Sequence, residues 1–108
     1  MDSSTTIDDL KSKVIKFRDE SGLKKFHELK DLSAAIAIES AELQETILWK
    51  SDEEVKKFLS DPKNLEIVKD EMADIGIYLL SLSDVLKIDF SQAVLNKLIK
   101  NEKKTAEK

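Results

Sequence analysis

Cysteine is absent from the chain, and glycine and proline are nearly so, with two and one respectively. No cysteine means no disulfide, no thiolate metal site and no Cys nucleophile. So few turn-forming residues exclude a many-stranded fold, because strand reversals draw on glycine and proline. Positive charge is not in excess either: 18 Lys and Arg against 22 Asp and Glu leave a net charge of −4. No electrostatic footprint for duplex nucleic acid is therefore expected. Long hydrophobic runs are missing too. The longest uncharged apolar stretch, Ile75–Leu80, is far too short to span a bilayer. The polar, acidic first residues do not resemble a signal peptide, so a soluble, cytoplasmic protein is the expectation.

What is there suits one small helical domain over residues 1–108, with polar ends at about 1–5 and 105–108. The 41% hydrophobic and 37% charged composition is that of a globular helical chain rather than a disordered one. A monomer of this size buries a modest fraction of its surface, so self-association is expected.

Ile7, Leu10, Val14 and Phe17 recur at helical steps and predict a first helix to about Glu20, capped by Thr6 and stopped near Ser21-Gly22. Leu23 to Lys30 reads as a connection. A second helix is predicted from about Asp31 to Trp49; Ala34-Ala35-Ile36-Ala37-Ile38 is apolar on nearly every face and suggests a central position. Ser51 and Glu54 form a capping box for a short helix through Leu59. Asp61-Pro62 then starts a long helix carrying Leu65, Val68, Met72, Ile75, Leu79, Leu82 and Leu86. Asp89 with Gln92 caps a last helix bearing Phe90, Val94 and Leu98, and the polar tail from Asn101 onward is expected to fray. An all-α, four-helix bundle-type fold is the natural architecture.

Two acidic pairs stand out, Glu39/Glu42 and Glu71/Asp74. Spaced by three on helices, each pair shares one face. Two such helices packed together could offer four carboxylates to a common space, the donor set a hard divalent cation wants. Spacing alone decides nothing, because chance yields roughly four acidic pairs at this separation in such a chain, and Glu28/Asp31 and Glu42/Glu45 share it. Context separates them. Glu39 and Glu42 follow an apolar run, and Asp74 lies between Ala73 and Ile75 ahead of Gly76-Ile77-Tyr78-Leu79-Leu80. Carboxylates in such segments carry a heavy desolvation cost unless paired or bound to metal. Helix-surface charge or pairing with lysine is the competing reading. A di-iron site is set aside, since the one histidine, His27, has no glutamate three residues before it. An all-oxygen site favours Mg²⁺, with Mn²⁺ as a substitute.

Glu39-Ser40-Ala41-Glu42 followed by Glu71-Met72-Ala73-Asp74 resembles the E-x-x-E … E-x-x-D signature of the MazG-like, all-α nucleoside triphosphate pyrophosphohydrolases. Phe17-Arg18-Asp19-Glu20, Phe26-His27, the stretch from Leu32 to Lys50, and Ile75 to Leu80 resemble the dCTP pyrophosphatase branch, as do Ile88-Asp89 and Ala93 to Lys97. The likeness runs over about residues 14 to 104 and is weakest from Ser51 to Glu66. It implies Mg²⁺ held by Glu39, Glu42, Glu71 and Asp74, and cleavage of a (deoxy)nucleoside triphosphate to monophosphate and pyrophosphate. It also implies a homodimer or homotetramer with the site completed across an interface. Glu42 or Glu45 would take the water's proton. Lys97, Asn101 and Lys104 match the family's C-terminal K-x-x-x-N-x-x-[KR] pattern for nucleotide binding; a solvated helix end is the alternative for them.

Trp49 fits a base-stacking position, with core packing as its alternative, and His27 falls where the family has a histidine near base or sugar, with a structural or surface role as its own. Leu23 stands where a second stacking tryptophan is expected, and Thr105-Ala106 where a tyrosine-proline is. The base preference is therefore open within dCTP-like or modified nucleotides. Tyr78 and Gly76 read as packing residues, the glycine allowing close helix approach. A different class, a non-catalytic helical dimer that binds nucleotide or protein as a regulator, would be marked by lost metal ligands, and all four acids are present. A plain coiled-coil module is disfavoured because these acids interrupt its seams.

Overall fold

The computed structural model describes residues 1–22 and 28–107. Among them are five helices and no strand: α1 (Ile7–Glu20), α2 (Leu29–Glu45), α3 (Asp52–Leu59), α4 (Pro62–Val85) and α5 (Phe90–Glu107). The all-α expectation holds. No helix is long and apolar enough to cross a membrane among the described residues.

Local chemistry sets the helix starts as the sequence predicts. The Thr6 hydroxyl accepts from the Asp9 amide and the Asp9 carboxylate accepts from the Thr6 amide, both at 3.0 Å. Ser51 and Glu54 repeat this reciprocal pairing at 3.2 Å. Each box satisfies two amides that a helix start leaves without partners. Asp61 accepts from the Lys63 amide at 2.9 Å with Pro62 in the first turn, and Asp89 accepts from the Gln92 amide at 2.8 Å.

The ends depart more from expectation. α2 stops at Glu45, four residues before Trp49. The Thr46 hydroxyl donates to the Leu43 carbonyl at 2.7 Å and the backbone tightens, with Ile47 and Lys50 amides bonding three residues back. α4 ends in a Schellman-type turn, in which the Ile88 amide reaches the Ser83 carbonyl at 2.8 Å. Lys87 takes the left-handed position of that turn, at φ 55°, where glycine is the usual occupant. α5 continues through Glu107, so the tail expected to fray from Asn101 is helical.

The central element is α4, not α2. Helices α1, α2 and α3 all pack on it, whereas α5 makes only sparse contacts with the rest. The apolar run of α2 is only half used within one chain: Leu32 and Ala35-Ile36 turn inward, while Ala34, Ala37 and Ile38 face solvent. The reason is geometric, since one neighbouring helix covers one stripe. α1 also differs from its predicted stripe. Ile7 and Val14 are turned in, but Leu10 and Phe17 are exposed and Arg18 is buried. Gly76 was expected to admit a close helix neighbour, yet a Cβ there would meet nothing within 4 Å.

Candidate metal centre

Along α2 the inward residues are Leu32, Ala35, Ile36, Glu39 and Leu43; along α4 they include Glu71, Asp74, Ile75, Tyr78, Leu79 and Leu82. Both lists follow the three- and four-residue steps of a helix face. Glu39 and Glu71 are thus carried into an otherwise apolar seam, and Glu42 sits exposed at its rim.

One carboxylate oxygen from each of Glu39, Glu42 and Glu71 lies within 4.8 Å of the others. The Oε2 atoms of Glu39 and Glu71 are shielded from solvent, and neither has a hydrogen-bond partner among the described residues. Asp74 is half-buried and stands outside that trio, although its charge still reaches Glu39. Two unit charges at such a separation repel by roughly 3–4 kcal/mol at an effective dielectric of about 20. Full ionisation of the cluster is therefore costly near neutral pH, and a cation or a proton relieves it. The Glu39 carboxyl is pushed up to about 7, first by its contact with Glu71, then by burial and by Glu42 and Asp74. Oxygen-only donors, partly desolvated and unpaired, fit a hard cation such as Mg²⁺ or Mn²⁺.

The other sequence candidates are dispersed. Trp49 is 92% exposed, which rules out core packing. It stands after α2 in a turn closed by the Lys50 amide on the Ile47 carbonyl at 3.2 Å, with φ at 68°. A left-handed conformation costs a non-glycine residue about 1–2 kcal/mol, so an indole held there in solvent is presented rather than packed. Lys97, Asn101 and Lys104 share one face of α5 and are exposed, and neither lysine forms an ion pair among the described residues. His27, Leu23 and Phe26 lie outside the described residues. Tyr78, read from sequence as packing, stands one turn beyond Asp74 on the same inward stripe; its four-residue offset from Asp74 was the available signal.

An all-helical protein whose α2–α4 pair turns three carboxylates on one another has the means to hold a metal ion. The chain belongs to the MazG-like family, whose model matches residues 34–108. It is 32% identical to dCTP pyrophosphatase 1 of Bos taurus over 102 residues, 94% of this chain and 60% of that protein. It is 31% identical to dCTP pyrophosphatase 1 of Mus musculus over 99 residues, 92% of this chain and 58% of that protein. The chain thus spans less than two thirds of the length of these curated relatives. Among solved structures, a pyrophosphatase from Archaeoglobus fulgidus matches with a TM-score of 0.78 and 41% identity, over 86% of this chain and 85% of that one.

Proposed function

We propose that residues 1–108 form one MazG-like domain acting as a Mg²⁺-dependent nucleoside triphosphate pyrophosphohydrolase. It would convert a (d)NTP and water to (d)NMP and pyrophosphate, in cytoplasmic house-cleaning of dCTP-like or modified nucleotides. The observation that carries this is the pair of shielded, partnerless carboxylate oxygens on Glu39 and Glu71 beside Glu42. The names of the relatives supply the reaction class.

Glu39, Glu42 and Glu71 would hold the cation, with Asp74 completing its surroundings. Bound there, Mg²⁺ would neutralise triphosphate charge and acidify a water. The rest falls to the chain's own groups. Glu42, exposed at the rim, accepts the proton as the water oxygen bonds to the α-phosphorus. The bond from that phosphorus to the bridging oxygen breaks, and its electron pair leaves with pyrophosphate. Lys97 and Lys104 act as point charges for phosphate, Asn101 adds hydrogen bonds, and Trp49 stacks the base; the family likeness assigns His27 to base or sugar recognition.

The protein acts as a homo-oligomer, a dimer or tetramer, in which α5 of one copy serves another. Its surface of 8549 Å² supports this, since a compact monomer of 12.3 kDa exposes about 6,100 Å². Its radius of gyration, 16.6 Å, likewise exceeds the roughly 13 Å of a compact chain of this length.

The test is incubation with canonical and modified NTPs and dNTPs, with Mg²⁺ and with chelator, followed by product analysis. Monophosphate and pyrophosphate formed only with metal is the expected result. Turnover indifferent to chelator would sink the proposal, and release of orthophosphate would move the attack to another phosphorus.

A further inference from the structure

α1 packs against α4 in an orientation that its apolar residues alone would not choose. Phe17, the bulkiest apolar side chain of the helix, is 65% exposed and Leu10 is 42% exposed, while Arg18 is only 5% exposed. Phe17 and Arg18 are neighbours, so they point roughly 100° apart round the helix. Turning the helix by part of that angle would bury the ring and free the guanidinium, as hydrophobicity alone favours.

Two cationic anchors prevent the turn. The Arg18 guanidinium donates to Asp84 Oδ2 at 2.9 Å and to Ser81 Oγ at 3.4 Å, both on α4, and to Asp19 Oδ1 at 3.3 Å. Seven residues earlier on the same face, Lys11 Nζ donates to the Ile88 carbonyl at 3.1 Å, just beyond the end of α4. That carbonyl lies near the negative pole of the helix, where a cation is favoured. Two polar contacts two turns apart fix both the roll and the register of α1. A buried ion pair adds little net stability over an apolar replacement, and its best-attested use is to specify register.

We propose that Lys11 and Arg18 form a latch that holds Leu10 and Phe17 outward, and that these two residues are part of the surface packing against a second copy of this chain. The surface continues onto α5, where Leu95, Leu98 and Ile99 are 51–55% exposed. Ile7 of α1 joins Val94 and Leu95 of α5 in lining an apolar groove of about 320 Å³. The occupant is a second copy because the chain exposes roughly 2,400 Å² more than a compact monomer would; over two copies that is about 4,800 Å², the range of obligate homodimer interfaces rather than of transient ones. The inference rests on the homo-oligomer reading and adds the face and the device that presents it.

The test replaces the ion pair by apolar residues, Arg18→Met with Asp84→Leu, and follows association by sedimentation equilibrium and helix content by circular dichroism. Helicity is retained and the dissociation constant rises about tenfold or more; Phe17→Ser gives a similar rise. Because the chain has no cysteine, Leu10→Cys reports the roll: in dilute protein its alkylation slows when the ion pair is replaced. Association and alkylation unaffected by Arg18→Met/Asp84→Leu would overturn the latch. An oligomer indifferent to Phe17→Ser would overturn the surface while leaving the oligomer standing, and a wild-type chain that stays monomeric at high micromolar concentration would overturn the oligomer itself. If the double variant does not fold, Lys11→Met, which removes only the bond to Ile88, must weaken association, and wild-type association there also overturns the latch.

Discussion

The α2–α4 seam and α5 are opposites in charge and in completeness. The seam draws three carboxylates together inside a single chain and shields two of their oxygens. Helix α5 carries Lys97, Lys100, Lys103 and Lys104 with an apolar stripe beside them, and almost all of it faces solvent. One region has its groups assembled with their charge uncompensated; the other has the compensating charge and no neighbour to lend it to. In a nucleotide-cleaving enzyme the first would hold the metal and the second the phosphates. On the proposed function, the chain would build the anionic half of its site by itself and leave the cationic half to assembly.

Glu71→Gln attacks the seam directly and carries the largest expected effect. It removes one of the shielded oxygens' charges and one ligand, so turnover falls by about a hundredfold or more and Mg²⁺ binding weakens with it. Above pH 7 the metal-free protein becomes more stable, because its ionised Glu39 has lost a like-charged neighbour; below pH 7 the gain vanishes, because the hydrogen bond with Glu71 that raises Glu39 is weakened. Calorimetry with and without Mg²⁺ checks both signs. A Glu71→Gln protein that keeps wild-type turnover would remove the seam from the chemistry.

Lys97→Ala with Lys104→Ala attacks the other region. Loss of two exposed phosphate contacts raises KM by about tenfold, since charge-assisted contacts contribute 1.5–3 kcal/mol at most and less in solvent. Mg²⁺ affinity in the absence of nucleotide stays at the wild-type value. A drop in metal affinity instead would merge the two regions into one and break the comparison.

If Glu39 holds the metal, proton and metal compete for it, so pH sharpens the contrast. Folding raises this carboxyl from 4.5 to about 7. The stabilisation is fully present below 4.5 and lost as pH rises through 7, because the folded chain binds the proton more tightly than the unfolded one. Metal-free protein should then melt at a higher temperature at pH 5.5 than at pH 8, and saturating Mg²⁺ should remove the difference. Apparent Mg²⁺ affinity should fall about tenfold per pH unit well below 7 and level off above it. Titration calorimetry across that range is the check; an affinity flat from pH 5.5 to 8 would mean that Glu39 does not bind the metal.

Much of this was legible in the residues. The helix starts were, because capping is local: Thr6/Asp9, Ser51/Glu54 and Asp61-Pro62 need only three or four residues of context. The acid trio was legible as two spacings, but only apolar surroundings and the family likeness distinguished it from chance pairs such as Glu28/Asp31. What could not be read was orientation. The stripe Ile7, Leu10, Val14 and Phe17 has helical periodicity, yet α1 sits with Arg18 inward because its partners Ser81 and Asp84 lie more than sixty residues away. The centrality assigned to α2 failed for a related reason. An apolar helix reads alike whether it is surrounded in its own chain or waits for another.

Gly76 carries the smallest expected effect and tests that last distinction. It lies inside α4, where glycine costs about 1 kcal/mol relative to alanine. No packing neighbour among the described residues accounts for it, since a Cβ would meet nothing from them within 4 Å beyond its own stretch of helix. Met72, one turn earlier on the same side of α4, is 60% exposed, and Leu65, two turns before that, is 41% exposed. If a second copy approaches this face, Gly76→Ala stabilises the dilute chain by about 1 kcal/mol, or several degrees in Tm. At higher protein concentration the advantage shrinks, because the added methyl crowds the contact. A gain independent of concentration would confine association to the α1 and α5 faces and leave the α4 stripe as free surface.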